Sequence, residues 1–247
     1  MKAIISDIHG NLEALRAVLE DIASKDIGDI VCLGDVVGYG PNPIECLEIA
    51  GRKFAACIRG NHEEATLSEP VEFNTKAEEA IRWTHDVIEQ LPPGQRSEIL
   101  AFLTKLPDTI RDGVVFVHGT PAQPTRDYLF PQDVRQKERM AAIFALVDTH
   151  CFVGHSHIPG VFTEGGYQHP SEMLMEGIYM LDQGKSIINV GSVGQPRDKD
   201  PRACYCTYDG DTVVFRRVRY DVRATVRKIY ANRHLHNSLG DRLSEGR

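Results

Sequence analysis

Apolar positions along this chain switch between two periods. Ala3-Ile4-Ile5 is a buried run of strand length, and Leu12, Leu15, Val18, Leu19 and Ile22 then recur at helical spacing. The same alternation repeats with a strand over residues 29–33, a helix over 43–50 carrying Ile44, Leu47 and Ile49, and a strand over 54–58. This βαβαβ opening predicts that the first strands are parallel. Residues 64–112 contain no strand-like run and read as a helical insertion. Its helices cover 75–90 and 96–106, separated by Pro92-Pro93-Gly94, and it is expected to cover part of the site edge. Strand character returns at 114–117 and 151–153, on either side of a Pro-rich loop over 120–131 and a helix that Asp133 can cap. Four β-type runs follow, at 177–182, 186–190, 203–208 and 212–218. A last helix spans about 221–231 with Val222, Val226, Ile229 and Tyr230 inward, and the tail after Asn232 is expected to fray.

Composition narrows this picture without changing it. A chain of 247 residues with 42% hydrophobic and 26% charged positions can bury one sizeable core, and residues 1–247 are read as a single domain. No stretch approaches the ~20 apolar residues of a membrane span. Asp7 and His9 interrupt the first apolar run too early for a secretory leader, so the expected compartment is the cytoplasm. Cys32, Cys46, Cys57, Cys151, Cys204 and Cys206 lie mostly in apolar runs and read as small buried hydrophobes. Charge is uneven. From Arg216 to Arg247 nine Lys or Arg against three Asp or Glu give +6, and the other 215 residues carry −13. An acidic body argues against general nucleic-acid binding, and the basic tail reads as a solvated helix face.

Chemistry concentrates at the strand ends. Asp7 and His9 follow the first strand, Asp35 the second, Asn61 and His62 the third, His118 the next, and His155 and His157 the one after, each set beside a glycine. Alone, any of these is a helix cap or an ordinary core histidine. Together they place Asp, His and Asn at five successive strand ends, the edge where α/β sheets bind ligands. Two carboxylates, an amide and several imidazoles exceed one tetrahedral zinc. They suit two divalent ions such as manganese, iron, zinc, cobalt or nickel, held about 3.5–4 Å apart by a shared carboxylate. With Asp7 and Asp35 as the anionic donors, two such ions and a bridging hydroxide leave a net positive site. Such a site attracts a phosphate ester and activates a water to attack it.

The set Asp7-x-His9, Gly34-Asp35, Gly60-Asn61-His62-Glu63, His118-Gly119 and Gly154-His155-x-His157 resembles the calcineurin-like metallophosphoesterase superfamily. All five blocks occur in that family's order between residues 7 and 157. Residues 189–197 resemble the following stretch of its small bacterial and archaeal phosphodiesterases. The resemblance implies a four-layer αββα sandwich of two mixed β-sheets flanked by helices. It also implies residue roles: Asp7, His9 and His157 on one metal, Asp35 bridging, and Asn61, His118 and His155 on the second. His62 matches the non-ligand histidine that stabilises the phosphoryl charge or protonates the leaving group. The residues alone do not separate His62 from the ligands.

The substrate is less sharply indicated. The Ser/Thr protein phosphatases of this superfamily carry a phosphate-gripping arginine a few residues after the bridging aspartate, preceded by an aspartate that supports the catalytic histidine. Here Tyr39 and Gly38 stand at those places. A bidentate arginine suits a dianionic monoester, so its replacement favours small phosphodiesters, cyclic nucleotides among them. Arg126 and Arg197 are candidate substitutes for the arginine, and Tyr39, Asn42 and Tyr128 are candidates for contact with a leaving group. A phosphomonoesterase of protein-phosphatase type and a non-catalytic interaction scaffold are the alternatives. The full ligand set argues against the scaffold.

Overall fold

The computed structural model describes residues 1–247. Two six-stranded mixed sheets pack face to face, with helices on both outer faces. The first sheet contains β1 (Lys2–Ile5), β2 (Asp29–Cys32) and β3 (Ala56–Cys57), all parallel. The second has β4 (Thr109–Asp112), β5 (Val114–Val117), β6 (His150–Val153), β7 (Gly160–Thr163) and β8 (Gly166–Gln168). The first sheet is completed by β9 (Ile178–Met180), β11 (Ala203–Tyr208) and β12 (Thr212–Val218), and the second by β10 (Ser186–Asn189). Strand order is β3-β2-β1-β11-β12-β9 in one sheet and β4-β5-β6-β10-β7-β8 in the other.

Period-two alternation sorts the side chains into layers. Along β1, Ala3 and Ile5 face the helices while Ile4 joins the core between the sheets. Along β5, Phe116 enters that inter-sheet core while Val115 and Val117 face outward under a helix. Cys204 and Cys206 share the inter-sheet face of β11, and all six cysteines are buried and unpaired. Helices α1 (Leu12–Ala23) and α2 (Pro43–Lys53) cover the first sheet together with α5 (Pro93–Lys105), and α6 (Lys137–Ala145) covers the second. The short α3 (Asn61–Leu67) starts inside the Asn61-His62 block. A separate apolar cluster joins α4 (Thr75–Glu89) to α7 (Val222–Ala231) and α8 (Ser238–Glu245).

Four features differ from the sequence-based expectation. Residues 109–112 form the edge strand β4, so the segment 64–112 is not wholly helical; Thr-Ile-Arg-Asp is too polar to read as a strand but pairs antiparallel with β5. Strands β7 and β8 lie where no β run was expected, being short and rich in glycine. Tyr230 of α7 is 49% exposed rather than inward. The tail after Asn232 is not frayed: Leu235, Leu239 and Leu243 are buried, and the backbone N–H of Lys199 donates to the carbonyl of Gly246 at 2.9 Å. Leucines four apart dock α8 on the α4–α7 pair, which offsets the weak helix propensity of its Ser and Gly.

Candidate metal centre

Parallel strands β1, β2, β3, β5, β6 and β10 all end on the same edge, so the loops that follow them converge there. Hydrogen bonds between loops carry the pairing past the strand ends. Asp7 N donates to Gly34 O at 3.0 Å, His9 N to Asp35 O at 2.9 Å, and Gly154 N to His118 O at 2.9 Å. Across the sheets, Gly194 N donates to Asp7 O at 2.9 Å.

The backbone is strained where it turns. Nine non-glycine residues have positive φ, and six of them are Asp7, His9, Asp35, Tyr39, His155 and His157, with φ between 50° and 65°. Left-handed conformations of this kind cost of order 1–3 kcal/mol each and persist only where surrounding structure enforces them. Close approach adds a second constraint. A Cβ on Gly60 would sit 2.1 Å from Asp35 Oδ1, and one on Gly154 would sit 2.6 Å from Asp7 Oδ2.

The side chains meet in two overlapping groups. In the first, His157 Nε2 lies 3.1 Å and His9 Nε2 3.7 Å from Asp7 Oδ1, and the two nitrogens are 3.2 Å apart. In the second, His118 Nε2 lies 3.3 Å from Asp35 Oδ2, 3.0 Å from His155 Nδ1 and 3.2 Å from Asn61 Oδ1. Asp35 Oδ2 also lies 3.7 Å from His9 Nε2, so one carboxylate oxygen faces both groups. All seven residues are at least nine-tenths buried.

Four of the imidazoles are pinned by backbone carbonyls. His9 Nδ1 faces Val37 O at 3.0 Å, His118 Nδ1 faces Leu33 O at 2.8 Å, and His157 Nδ1 faces Gln195 O at 2.6 Å. His155 uses its other nitrogen, with Nε2 3.2 Å from Arg126 O. A carbonyl only accepts, so each of these nitrogens carries a proton. In a neutral ring the opposite nitrogen then presents a lone pair to the centre. His62 differs. Its Nε2 is 4.0 Å from Asp35 Oδ2, and its buried Nδ1 has no hydrogen-bond partner.

Burial and mutual charge set the protonation of the cluster. Burial opposes charge on Asp7 and Asp35, but His157 and His118 hold Asp7 low, and His118 and His62 hold Asp35 low. Burial, then neighbouring histidines, pushes His9 well down, and the same causes bring His155 to about 3. Burial also lowers His62, to about 4. His118 goes the other way: burial works against its charge, but Asp35 and Asp7 override it and raise it to about 10.

Glu63 organises the loop that bears Asp35. Its carboxylate accepts from Asp35 N at 2.7 Å, Val37 N at 3.1 Å and Gly60 N at 2.9 Å. Burial and the nearby Asp35 charge raise Glu63 to about 7, partly offset by those three donors. Asn189 does the same for the His155 loop, donating from Nδ2 to Gly154 O at 2.6 Å and to Ser156 Oγ at 2.9 Å. Sequence reading gave Glu63 and Asn189 no role of their own, although both lie inside the motifs.

Residues 1–212 match the family model of the calcineurin-like phosphoesterase superfamily domain. The chain belongs to that superfamily. Its sequence is 43% identical to an uncharacterized protein of Methanocaldococcus jannaschii, over 100% of this chain and 98% of the other. It is similar in structure to a metallophosphoesterase from Sphaerobacter thermophilus at 37% identity and a TM-score of 0.83, covering 100% and 98% of the two chains. A weaker likeness, 24% identity, reaches serine/threonine-protein phosphatase 2 of Escherichia coli across 55% of this chain and 64% of that protein. The four-layer sandwich expected from the motifs is the observed fold.

Calcineurin-like phosphoesterases depend on two metal ions, and the donors here fit such a pair. Three buried carboxylate and imidazole groups, Asp7-His9-His157, His9-Asp35-His62 and Asp35-His118-His155, each bring their ligand atoms within 4.8 Å of one another. Asp7 Oδ1 is buried without a hydrogen-bond donor. Lone pairs of His9 and His157 facing each other across 3.2 Å, with the orphaned Asp7 Oδ1 beside them, call for a cation between them.

The candidate substrate-contact residues take different places around the centre. Tyr39 packs its ring 4.7 Å from His9 and 4.6 Å from His62. Tyr128 stacks on His155 at 3.6 Å and is 39% exposed. Arg197 lies close enough to lower His157 by its charge, after burial. The Arg126 side chain is instead drawn to Glu64 at 3.1 Å and Glu72 at 3.6 Å, so only its carbonyl serves the centre. Asn42 is held at the surface by Glu45 and Lys228. Phe73, which no motif marks, packs edge-on against His62 at 5.2 Å.

Proposed function

We propose that this chain hydrolyses small phosphodiesters, with Asp7, His9 and His157 holding one divalent ion, Asn61, His118 and His155 the other, and Asp35 shared. The observation that carries the reading is Asp35 Oδ2, which faces His9 of one group and His118 of the other. When bound, the two ions supply a water activated near neutral pH and a Lewis acid for the phosphoryl oxygens.

The protein supplies the rest. Carbonyls of Val37, Leu33, Gln195 and Arg126 keep the ligand imidazoles in one tautomer and orientation. Glu63 fixes the turn that aims Asp35. His62, free of any carbonyl, is the group left to hydrogen-bond the phosphoryl oxygen or to give a proton to the departing alkoxide.

The surroundings of His62 support the diester preference. A Cβ on Gly38, whose φ is +87°, would sit 2.0 Å from His62 Nδ1, so no carboxylate can stand behind this histidine from that position. Tyr39 stands where the protein phosphatases have an arginine, and Arg126 is occupied by Glu64. The alternative, a phosphomonoesterase, draws on the partial likeness to the Escherichia coli phosphatase. One comparison decides between them: rates on bis(p-nitrophenyl) phosphate and p-nitrophenyl phosphate with manganese-loaded protein. The diester is expected to react faster, and a clear monoester preference overturns the proposal.

A further inference from the structure

The tail helix α8 brings a second arginine to the site. Leu239 and Leu243 face inward, and Arg242, beside that stripe, is half-buried and points its Nη1 to within 3.4 Å of Gln195 Oε1. The same amide oxygen accepts from Arg197 Nη2 at 2.8 Å. Two guanidiniums therefore share one neutral acceptor. Neither comes within salt-bridge distance of a carboxylate, unlike Arg126, Arg139, Arg202 and Arg217 elsewhere in the chain. The Nε of Arg197 is buried with no partner at all. Burial and the Arg197 charge together depress Arg242.

Like charges held side by side without a counter-ion are costly, and a site that tolerates them is poised for an anion. The position of the pair says which anion. Gln195, which ties the arginines together, accepts His157 Nδ1 through its own carbonyl. Tyr39, whose ring packs tilted against both His9 and His62, feels both arginine charges. The pair thus reaches the cluster through Gln195, on the Nδ1 side of His157, while the Nε2 of that ring faces Asp7.

We propose that Arg242 and Arg197 form a second anion subsite, which takes a phosphate or carboxylate of the substrate other than the group hydrolysed. This rests on the phosphodiesterase reading and narrows it to diesters that carry a further negative charge. It also gives a role to α8, whose two buried leucines, Leu239 and Leu243, hold Arg242 in place beside Gln195.

Two measurements test the proposal, and the second does not depend on catalysis. The first compares kcat/KM for p-nitrophenyl thymidine 5′-phosphate with and without a 3′-phosphate. Wild-type protein should prefer the 3′-phosphorylated diester, and Arg242→Gln should reduce that preference about tenfold, as expected for a lost charge-assisted contact, while Arg242→Lys keeps part of it. A wild-type protein without the preference, or a preference that survives Arg242→Gln, overturns the subsite.

The second titrates inorganic pyrophosphate into metal-free protein by calorimetry. Arg242→Gln should weaken binding about tenfold without lowering Tm, because removing one of two repelling cations relieves strain. No measurable binding to wild-type protein, or an unchanged affinity accompanied by a lower Tm, overturns the proposal and leaves Arg242 a structural residue. If metal-loaded protein cleaves no diester yet Arg242→Gln still loses pyrophosphate, the hydrolase reading fails and the anion subsite stands.

Discussion

On the floor of the site, Asp7, His9, Asp35, His118, His155 and His157 hang from strand ends, most of them on left-handed backbone, and the imidazoles are fixed by carbonyls. On the rim, Tyr128, Phe73, Arg197 and Arg242 arrive from loops and from a terminal helix, and one of them stands 39% exposed. The floor spends backbone strain on geometry and leaves its groups little freedom. The rim is held by ring packing and by hydrogen bonds to side chains such as Gln195 rather than by strand-end backbone. If the floor carries the chemistry proposed for it, that chemistry is built into the sheets, and the rim lies on segments that can change without disturbing them.

The comparison breaks first, and most severely, at Asp35. Asp35→Asn keeps the size of the side chain but removes the charge that faces both donor groups. Metal content measured by atomic spectroscopy is expected to fall below two ions per chain, and hydrolysis to drop by at least about a thousandfold. A variant with two ions and full activity would show that the shared carboxylate is not the link between the groups.

His62 should separate the floor into ligands and non-ligands. His62→Ala is expected to retain both ions while kcat falls by about 10²–10⁴, the range of a lost general acid or oxyanion donor. Loss of metal instead would make His62 a ligand, in line with its proximity to His9 and Asp35.

The smallest effect is expected on the rim. Leu243→Ala removes a buried side chain from α8 and should cost about 2–3 kcal/mol of stability in urea unfolding, at the low end for a leucine in a peripheral cluster. Metal content should remain at two per chain. A Leu243→Ala protein that loses metal would contradict the independence of floor and rim.

This division also explains what could be read from the sequence. The floor was legible because each of its groups follows an apolar run and adjoins a glycine, and both signals are local. Even so, the expectation that His62 is not a ligand came from family resemblance; in the structure its Nδ1 has no partner, yet its ring also groups with His9 and Asp35. The rim was less legible. Arg126 and Arg197 were equal candidates by position, but Glu64 captures the first, and nothing in the loop composition announces that ion pair. Arg242 was read as part of a solvated basic face, because an eight-residue helix with Ser238, Gly240 and Ser244 has little local signal. Its leucines form a helix only because α4 and α7 offer a surface to cover. Strands β4, β7 and β8 escaped for the same reason: their pairing partners, rather than their own composition, make them strands.

The central claim, that one carboxylate oxygen joins two ion sites, is open to direct observation. Anomalous diffraction at the manganese edge from manganese-loaded crystals should show two peaks about 3.5–4 Å apart, one on either side of Asp35. One peak should lie beside Asp7, His9 and His157, and the other beside Asn61, His118 and His155. A single peak, or two peaks that Asp35 does not separate, would contradict the account.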